Sequence, residues 1–272
     1  MDKLMELVQL NSKEVVKIEH FFTEHFERKV WRIGFYEEPD IKLENAGAAA
    51  IKRLLRLLAG VKKSHKVLCL GAHGINLGYL LLERFGCYVT VFCDEDITGE
   101  QSHEAMVEGD DAEKMTIERG TMSLLPYASN SFDAVISLET LAFIEDKEGA
   151  LRQIADVLKP KGRMLFTSLF LTDPAPFTKI GSSATSLIGI DQYVRLVANS
   201  DLDQVLNRDM TSHLIRHYEA LSGFMDDHQG EATTMLGKSL LGKFNKWLMT
   251  YTGQLKSDDL GWGVFLFQKS NV

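Results

Sequence analysis

Val67–Leu81 reads VLCLGAHGINLGYLL. Its first four residues are a short unbroken apolar run, the signature of a parallel strand buried on both faces. Gly71 and Gly74 then punctuate a tight turn. Helical spacing follows over about 76–85 and ends at Gly86. A strand that runs through a glycine turn into a helix opens a doubly wound α/β unit, whose ligands gather at the carboxyl ends of the strands.

The same alternation continues in both directions. Downstream, Tyr88–Cys93 (YVTVFC), Met115–Arg119, Phe132–Ser137 (FDAVIS) and Arg163–Phe170 read as further strands. Helices are expected near 98–108 and over 147–158, the latter stopped by Lys159-Pro160-Lys161-Gly162. Residues 171–190, rich in Ser, Thr, Gly and Pro, read as a loop or lid. A helix over 190–200, a strand over 204–209, helices over 212–227 and 233–250, and a closing strand Gly263–Lys269 complete the pattern. Upstream, apolar spacing predicts a helix over 12–30 with Ser12 as N-cap. A loop over 31–41 and a helix over 43–59, ended by Gly60, come next. The expected fold class is α/β: a Rossmann-like, doubly wound, mostly parallel seven-stranded sheet with N-terminal helices and a helical insertion before the last strand. Helices there would roof the strand ends.

Composition agrees with a folded intracellular protein. The chain has 272 residues, 45% hydrophobic and 25% charged, with 5 prolines, which is enough apolar material for a sizeable core and too little bias for disorder. The net charge of −8 repels phosphate backbones, so nucleic acid is not an expected partner; a small-molecule substrate is. The N-terminal stretch is charged throughout, with no signal-peptide core, and no run approaches a membrane span, so a cytoplasmic protein with no membrane partner is expected. Oligomeric state stays open between monomer and dimer. Cys69, Cys87 and Cys93 lie on or beside strands with no CxxC, and read as reduced packing residues.

Three stretches in order carry a family resemblance: Val67–Leu81, LLPYASNSFDAVISLETLAFIED (Leu124–Asp146) and LRQIADVLKPKGRMLFTS (Leu151–Ser168). Leu-Pro-aromatic, Ser-Phe-Asp and then Leu-Lys-Pro-x-Gly-Arg resemble class I S-adenosylmethionine-dependent methyltransferases. GFYEEPD (Gly34–Asp40), DMTSHLIRHYEAL (Asp209–Leu221) and DLGWGVFLFQK (Asp259–Lys269) resemble, more narrowly, the glycine/sarcosine/dimethylglycine N-methyltransferase group. The resemblance implies S-adenosylmethionine as cofactor and a small amine as acceptor. With the strand and helix pattern, this gives an expected N-terminal helical cap, 1–60, and a methyltransferase domain, 61–272, that includes the helical insertion 211–258.

Methyl transfer from a sulfonium needs donor and acceptor in line, a close backbone approach at the first turn, and carboxylates for the ribose. By resemblance, Leu70, Gly71, His73, Gly74, Asp94, Thr121, Met122 and Ser137 are the cofactor-binding candidates. The chain departs from the family pattern at several of them. Cys69 replaces the first-strand acid, His73 and Ile75 replace loop glycines, and Cys93 stands where the ribose acid is found, with Asp94 one step on. Leu138-Glu139-Thr140 replaces the group's Gln-Asp-Ala. Glu139 and His217 are the catalytic candidates; Trp31, Tyr36 and Tyr218 are the substrate candidates, since aromatic faces hold ammonium groups. Arg195 or Arg216 would suit a substrate carboxylate. His213 and His217 have metal-pair spacing, but no third ligand is evident and no metal is expected. Trp262 reads as core packing. The alternative function is a degenerate methyltransferase fold with little or no cofactor binding, serving as a partner protein or in different chemistry. A nicotinamide enzyme would need G-x-G-x-x-G after the first strand, and Gly71-Ala72-His73-Gly74 does not supply it.

Overall fold

A computed structural model describes residues 12–26, 32–38, 40–71, 74–93, 112–121, 124–172 and 187–271. In chain order these form helices α1 (Ser12–Phe26) and α2 (Leu43–Leu57), then β1 (Lys66–Leu70), α3 (Gly74–Phe85), β2 (Tyr88–Cys93) and β3 (Met115–Arg119). Next come β4 (Phe132–Leu138), α4 (Lys147–Val157), β5 (Leu158–Leu171), α5 (Ile190–Ala198) and β6 (Leu202–Asp209). Three helices, α6 (Thr211–Asp227), α7 (Gln229–Leu236) and α8 (Lys238–Lys256), precede the closing strand β7 (Leu260–Lys269). The helix expected near 98–108, most of the loop over 171–190, and Trp31, His73, Asp94 and Met122 lie outside the described residues.

The strands make a 7-stranded sheet in the order β3-β2-β1-β4-β5-β7-β6. Pairs β3-β2, β2-β1, β1-β4 and β4-β5 are parallel. Strand β7 is antiparallel to both β5 and β6, so the sheet is mixed. The antiparallel half has a topological cause: β7 enters from the helical insertion at the end of the sheet opposite to the one from which a crossover helix would deliver it.

Apolar side chains pack on both faces. One face holds α1, α2, α3 and α6–α8 in a single cluster running from Phe21 and Phe22 through Leu54, Leu77 and Leu214 to Phe244, Trp247 and Trp262. The other holds α4 and α5 against Leu68, Val135, Phe166 and Phe265. Along β4 the alternation assigns Ile136 and Leu138 to the first face and Val135 to the second.

Two boundaries differ from the sequence reading. Strand β5 begins at Leu158 and runs through the Lys159–Gly162 stretch read as a stop. Leu158 pairs with Phe132 and Arg163 with Ala134, and the residues between form a bulge. Pro160 falls in that unpaired stretch, where its missing N–H costs no ladder bond on the β4 side. The helix expected over 233–250 is two helices, α7 and α8, broken at Gly237 (φ +79). Among the described residues no helix is long and apolar enough to cross a membrane.

Candidate functional site

The first-strand turn is built around Gly71. Its φ of +93 suits glycine, and a side chain there would collide with the Thr140 hydroxyl and lie 2.9 Å from Thr140 Cβ. The Gly71 amide donates to the Phe92 carbonyl at 2.9 Å, and the Gly71 carbonyl accepts from the Gly74 amide at 2.9 Å. Gly74 opens α3 so close to the sheet that a Cβ would sit 2.7 Å from Val91 Cγ1. Gly71 and Gly74 therefore meet the two steric demands of a cofactor turn, positive φ and close helix–strand packing.

Leu70 and Ser137 are register partners at the carboxyl ends of β1 and β4, and both are buried. The Ser137 hydroxyl has no hydrogen-bond partner among the described residues. A buried orphan hydroxyl beside that turn fits a site shaped for a polar ligand. Thr121 is exposed in the turn that leaves β3, where its carbonyl accepts from the Leu124 amide. Cys69 and Cys93 are buried free thiols, and burial pushes the Cys69 thiol up. Neither supplies the charge of the acid it replaces.

Glu139 sits just past β4 with φ +61. Its amide donates to the Thr167 carbonyl at 3.1 Å, which fixes the turn across β5. Its carboxylate, 9% exposed, accepts from the Trp262 indole N–H at 2.6 Å. Burial raises the Glu139 pKa, and Thr167, Trp262 and Arg32 oppose that rise. Trp262 packs in the core as expected, and its N–H also serves this carboxylate. Arg32 is 4% exposed, and burial pulls its pKa down to about 9, opposed by Tyr218 and Glu139. It stays cationic at neutral pH.

A second cluster joins the 32–38 segment to α6. The Tyr36 hydroxyl lies 2.9 Å from His217 Nδ1, and the Tyr36 amide donates to His213 Nδ1 at 3.1 Å. Burial lifts the Tyr36 pKa to about 12, so its hydroxyl keeps its proton and is the natural donor to His217. Gly34 lets the chain pass against the His217 ring, where any Cβ would collide. The Arg216 guanidinium lies 4.6 Å from the Tyr36 ring centroid, and Phe35 stacks on His213 at 4.4 Å. Tyr218 is buried between the clusters: its ring centroid is 6.4 Å from that of His217, and it shares the electrostatic environment of Arg32 and Glu139.

The candidates thus divide into two groups. Leu70, Gly71, Gly74 and Ser137 surround the ends of β1 and β4, with Thr121 two strands away, past the end of β3. Glu139, Tyr36, His217 and Tyr218 lie where the 32–38 segment and α6 meet the end of β4 and the start of β7, with Trp262. Arg195 is exposed on α5, against the other face, and is not brought to either group. Among the described residues no third metal-type ligand joins His213 and His217. Arg32 and Thr140 escaped the sequence reading. An arginine within the apolar run WRIGFY was the available signal for the first; for the second it was Leu138-Glu139-Thr140 standing where the related group has Gln-Asp-Ala.

Residues 68–166 match the family described as a methyltransferase domain. The chain is 22% identical over 251 residues to the glycine/sarcosine/dimethylglycine N-methyltransferase of Actinopolyspora halophila, a match that covers 89% of this chain and 44% of that relative. It is 22% identical over 242 residues to the sarcosine/dimethylglycine N-methyltransferase of Halorhodospira halochloris, covering 87% of each. The crystal structure of a putative sarcosine dimethylglycine methyltransferase from Galdieria sulphuraria superposes with a TM-score of 0.81 at 20% identity, over 95% of this chain and 99% of that one. Over residues 68–166 the chain thus matches a methyltransferase domain, and the strand order and the glycine turn give that segment the doubly wound α/β setting of a nucleotide-cofactor site.

Proposed function

We propose that the chain methylates the nitrogen of a small amine in the space between the two groups of side chains. The observation that carries this reading is the Glu139 carboxylate, buried at the carboxyl end of β4 with its indole donor and adjoined by Tyr218. A carboxylate with aromatic walls attracts and orients an ammonium group. The relatives named for sarcosine and dimethylglycine support the same acceptor class.

S-adenosylmethionine, when bound, supplies an activated methyl group on sulfur. Leu70, Gly71, Gly74, Thr121 and Ser137 would hold it, together with His73, Asp94 and Met122 as the resemblance implies. Glu139 holds the acceptor nitrogen by charge, and Tyr36 and Tyr218 enclose it, with Trp31 a further substrate residue that the resemblance implies. A proton leaving that nitrogen can pass to the Tyr36 oxygen as the Tyr36 hydroxyl proton moves to His217 Nδ1 across 2.9 Å. Burial of these groups excludes water. The 1–60 cap and the 211–258 insertion act as a roof on the 61–272 domain. The protein works on small molecules in the cytoplasm, as a monomer or dimer, without nucleic acid.

The test is a transfer assay with methyl-labelled S-adenosylmethionine and a panel of glycine, sarcosine, dimethylglycine, phosphoethanolamine and hydroxyl-bearing acceptors. Label should enter an amine, and Glu139→Gln should slow it about a hundredfold, or about 2.7 kcal/mol of barrier. Label entering only hydroxyl acceptors would refute the amine reading.

A further inference from the structure

We propose that Thr140 is a positioning residue for the cofactor turn: its hydroxyl ties the end of β1 to the end of β4, and its side chain seats Gly71. The proposal rests on the methyltransferase reading above. Thr140 follows Glu139, whose left-handed backbone reverses the chain at the end of β4. Consecutive side chains therefore serve opposite groups: Glu139 meets Trp262, and Thr140 meets Leu70 and Gly71.

The Thr140 Oγ1 lies 3.3 Å from the Leu70 carbonyl and 3.2 Å from the Leu138 carbonyl. A hydroxyl has one proton, so it is shared between these acceptors. One carbonyl ends β1 and the other ends β4, so the single proton bridges the last residues of two neighbouring strands. The steric contact acts at the same place, since no side chain at residue 71 could coexist with Thr140. An ordinary role for a threonine after a strand is to cap the next turn. Thr140 makes no such bond to the 3-10 turn Leu141–Phe143 that it precedes, so its hydroxyl is committed to the strand ends. Where the related group carries Gln-Asp-Ala, an alanine would supply neither the proton nor the bulk. Here His73 and Ile75 replace loop glycines, and Thr140 holds the shape of the turn from outside it.

The experiment is calorimetric titration of S-adenosylhomocysteine into wild type, Thr140→Ala and Thr140→Ser, with amide exchange at Gly71 and Gly74 and thermal unfolding as companions. Thr140→Ala should weaken binding about fivefold to tenfold, the effect of one modest hydrogen bond, and speed exchange at Gly74, whose amide bonds the Gly71 carbonyl. Thr140→Ser should bind within about twofold of wild type, because the hydroxyl is retained. Unchanged binding in Thr140→Ala overturns the proposal, even if exchange speeds up, because the clamp then serves the fold alone. If wild type binds no S-adenosylhomocysteine while Thr140→Ala still speeds exchange, the cofactor reading falls and the clamp between strands stands.

Discussion

Trp262 shows how one atom can change a residue's meaning. Its ring was legible from sequence as core, and it is 2% exposed. Its N–H, however, satisfies a carboxylate 123 positions away in the chain. Trp262→Phe keeps most of the packing and leaves the buried Glu139 carboxylate short of a donor. It should cost about 1–3 kcal/mol of stability in denaturant unfolding. Glu139→Gln combined with Trp262→Phe should cost less than the sum of the two, since the amide needs that donor less. Gly71 and Gly74 were legible because glycines set between an apolar strand and a helix mark a turn that brings backbone close to a ligand. Thr140 and Arg32 were not, because their meaning lies in neighbours brought by the fold. Cys69 shows the reverse: the sequence marked a lost acid, and the structure explains why a thiol is stable there, with the side chain wholly buried among Val91, Ile136 and the start of α3. A carboxylate at that depth would need a hydrogen-bonding partner to be tolerated.

The segment 32–38 is held to α6 by hydrogen bonds that depend on protonation. The Tyr36 amide needs an unprotonated His213 Nδ1 as acceptor. Burial lowers the His213 pKa, opposed by Glu37 and assisted by Arg216 and Arg53. Folding thus favours the neutral ring, so its contribution is present above the unfolded value near 6.5 and is lost as pH falls through the lower folded value. Thermal unfolding of wild type should weaken as pH drops below about 6, whereas His213→Asn should show a flatter profile over that range. A wild-type profile no steeper than that of the variant would remove His213 from this role. Among the described residues, helices such as α2 and α6 were legible to within a few residues because their apolar periods are strong. The break at Gly237 was not, because a glycine inside a helical period costs only about 1 kcal/mol and leaves the pattern running through it.

At the scale of the molecule, one sheet separates two apolar layers, and the layer that carries the candidate acceptor groups also carries both ends of the helical roof. Phe21 and Phe22 of α1 share a cluster with Ala232 and Leu236 of α7 and Phe244 of α8. Lys243 of α8 pairs with Glu14 of α1 at 2.8 Å. The N-terminal helix and the insertion therefore pack together on that face of the sheet. Alternation of strand and helix made the parallel half of the sheet readable. The antiparallel placement of β7 follows from where the insertion delivers the chain, which no local pattern encodes. That architecture serves methyl transfer only if the altered turn still accepts the cofactor. The most direct test is calorimetric titration of the full chain with S-adenosylmethionine and S-adenosylhomocysteine, alongside Gly71→Ala. Micromolar binding that Gly71→Ala abolishes is the expected result. No binding of either compound at millimolar concentration, in protein shown to be folded, would contradict methyltransferase function.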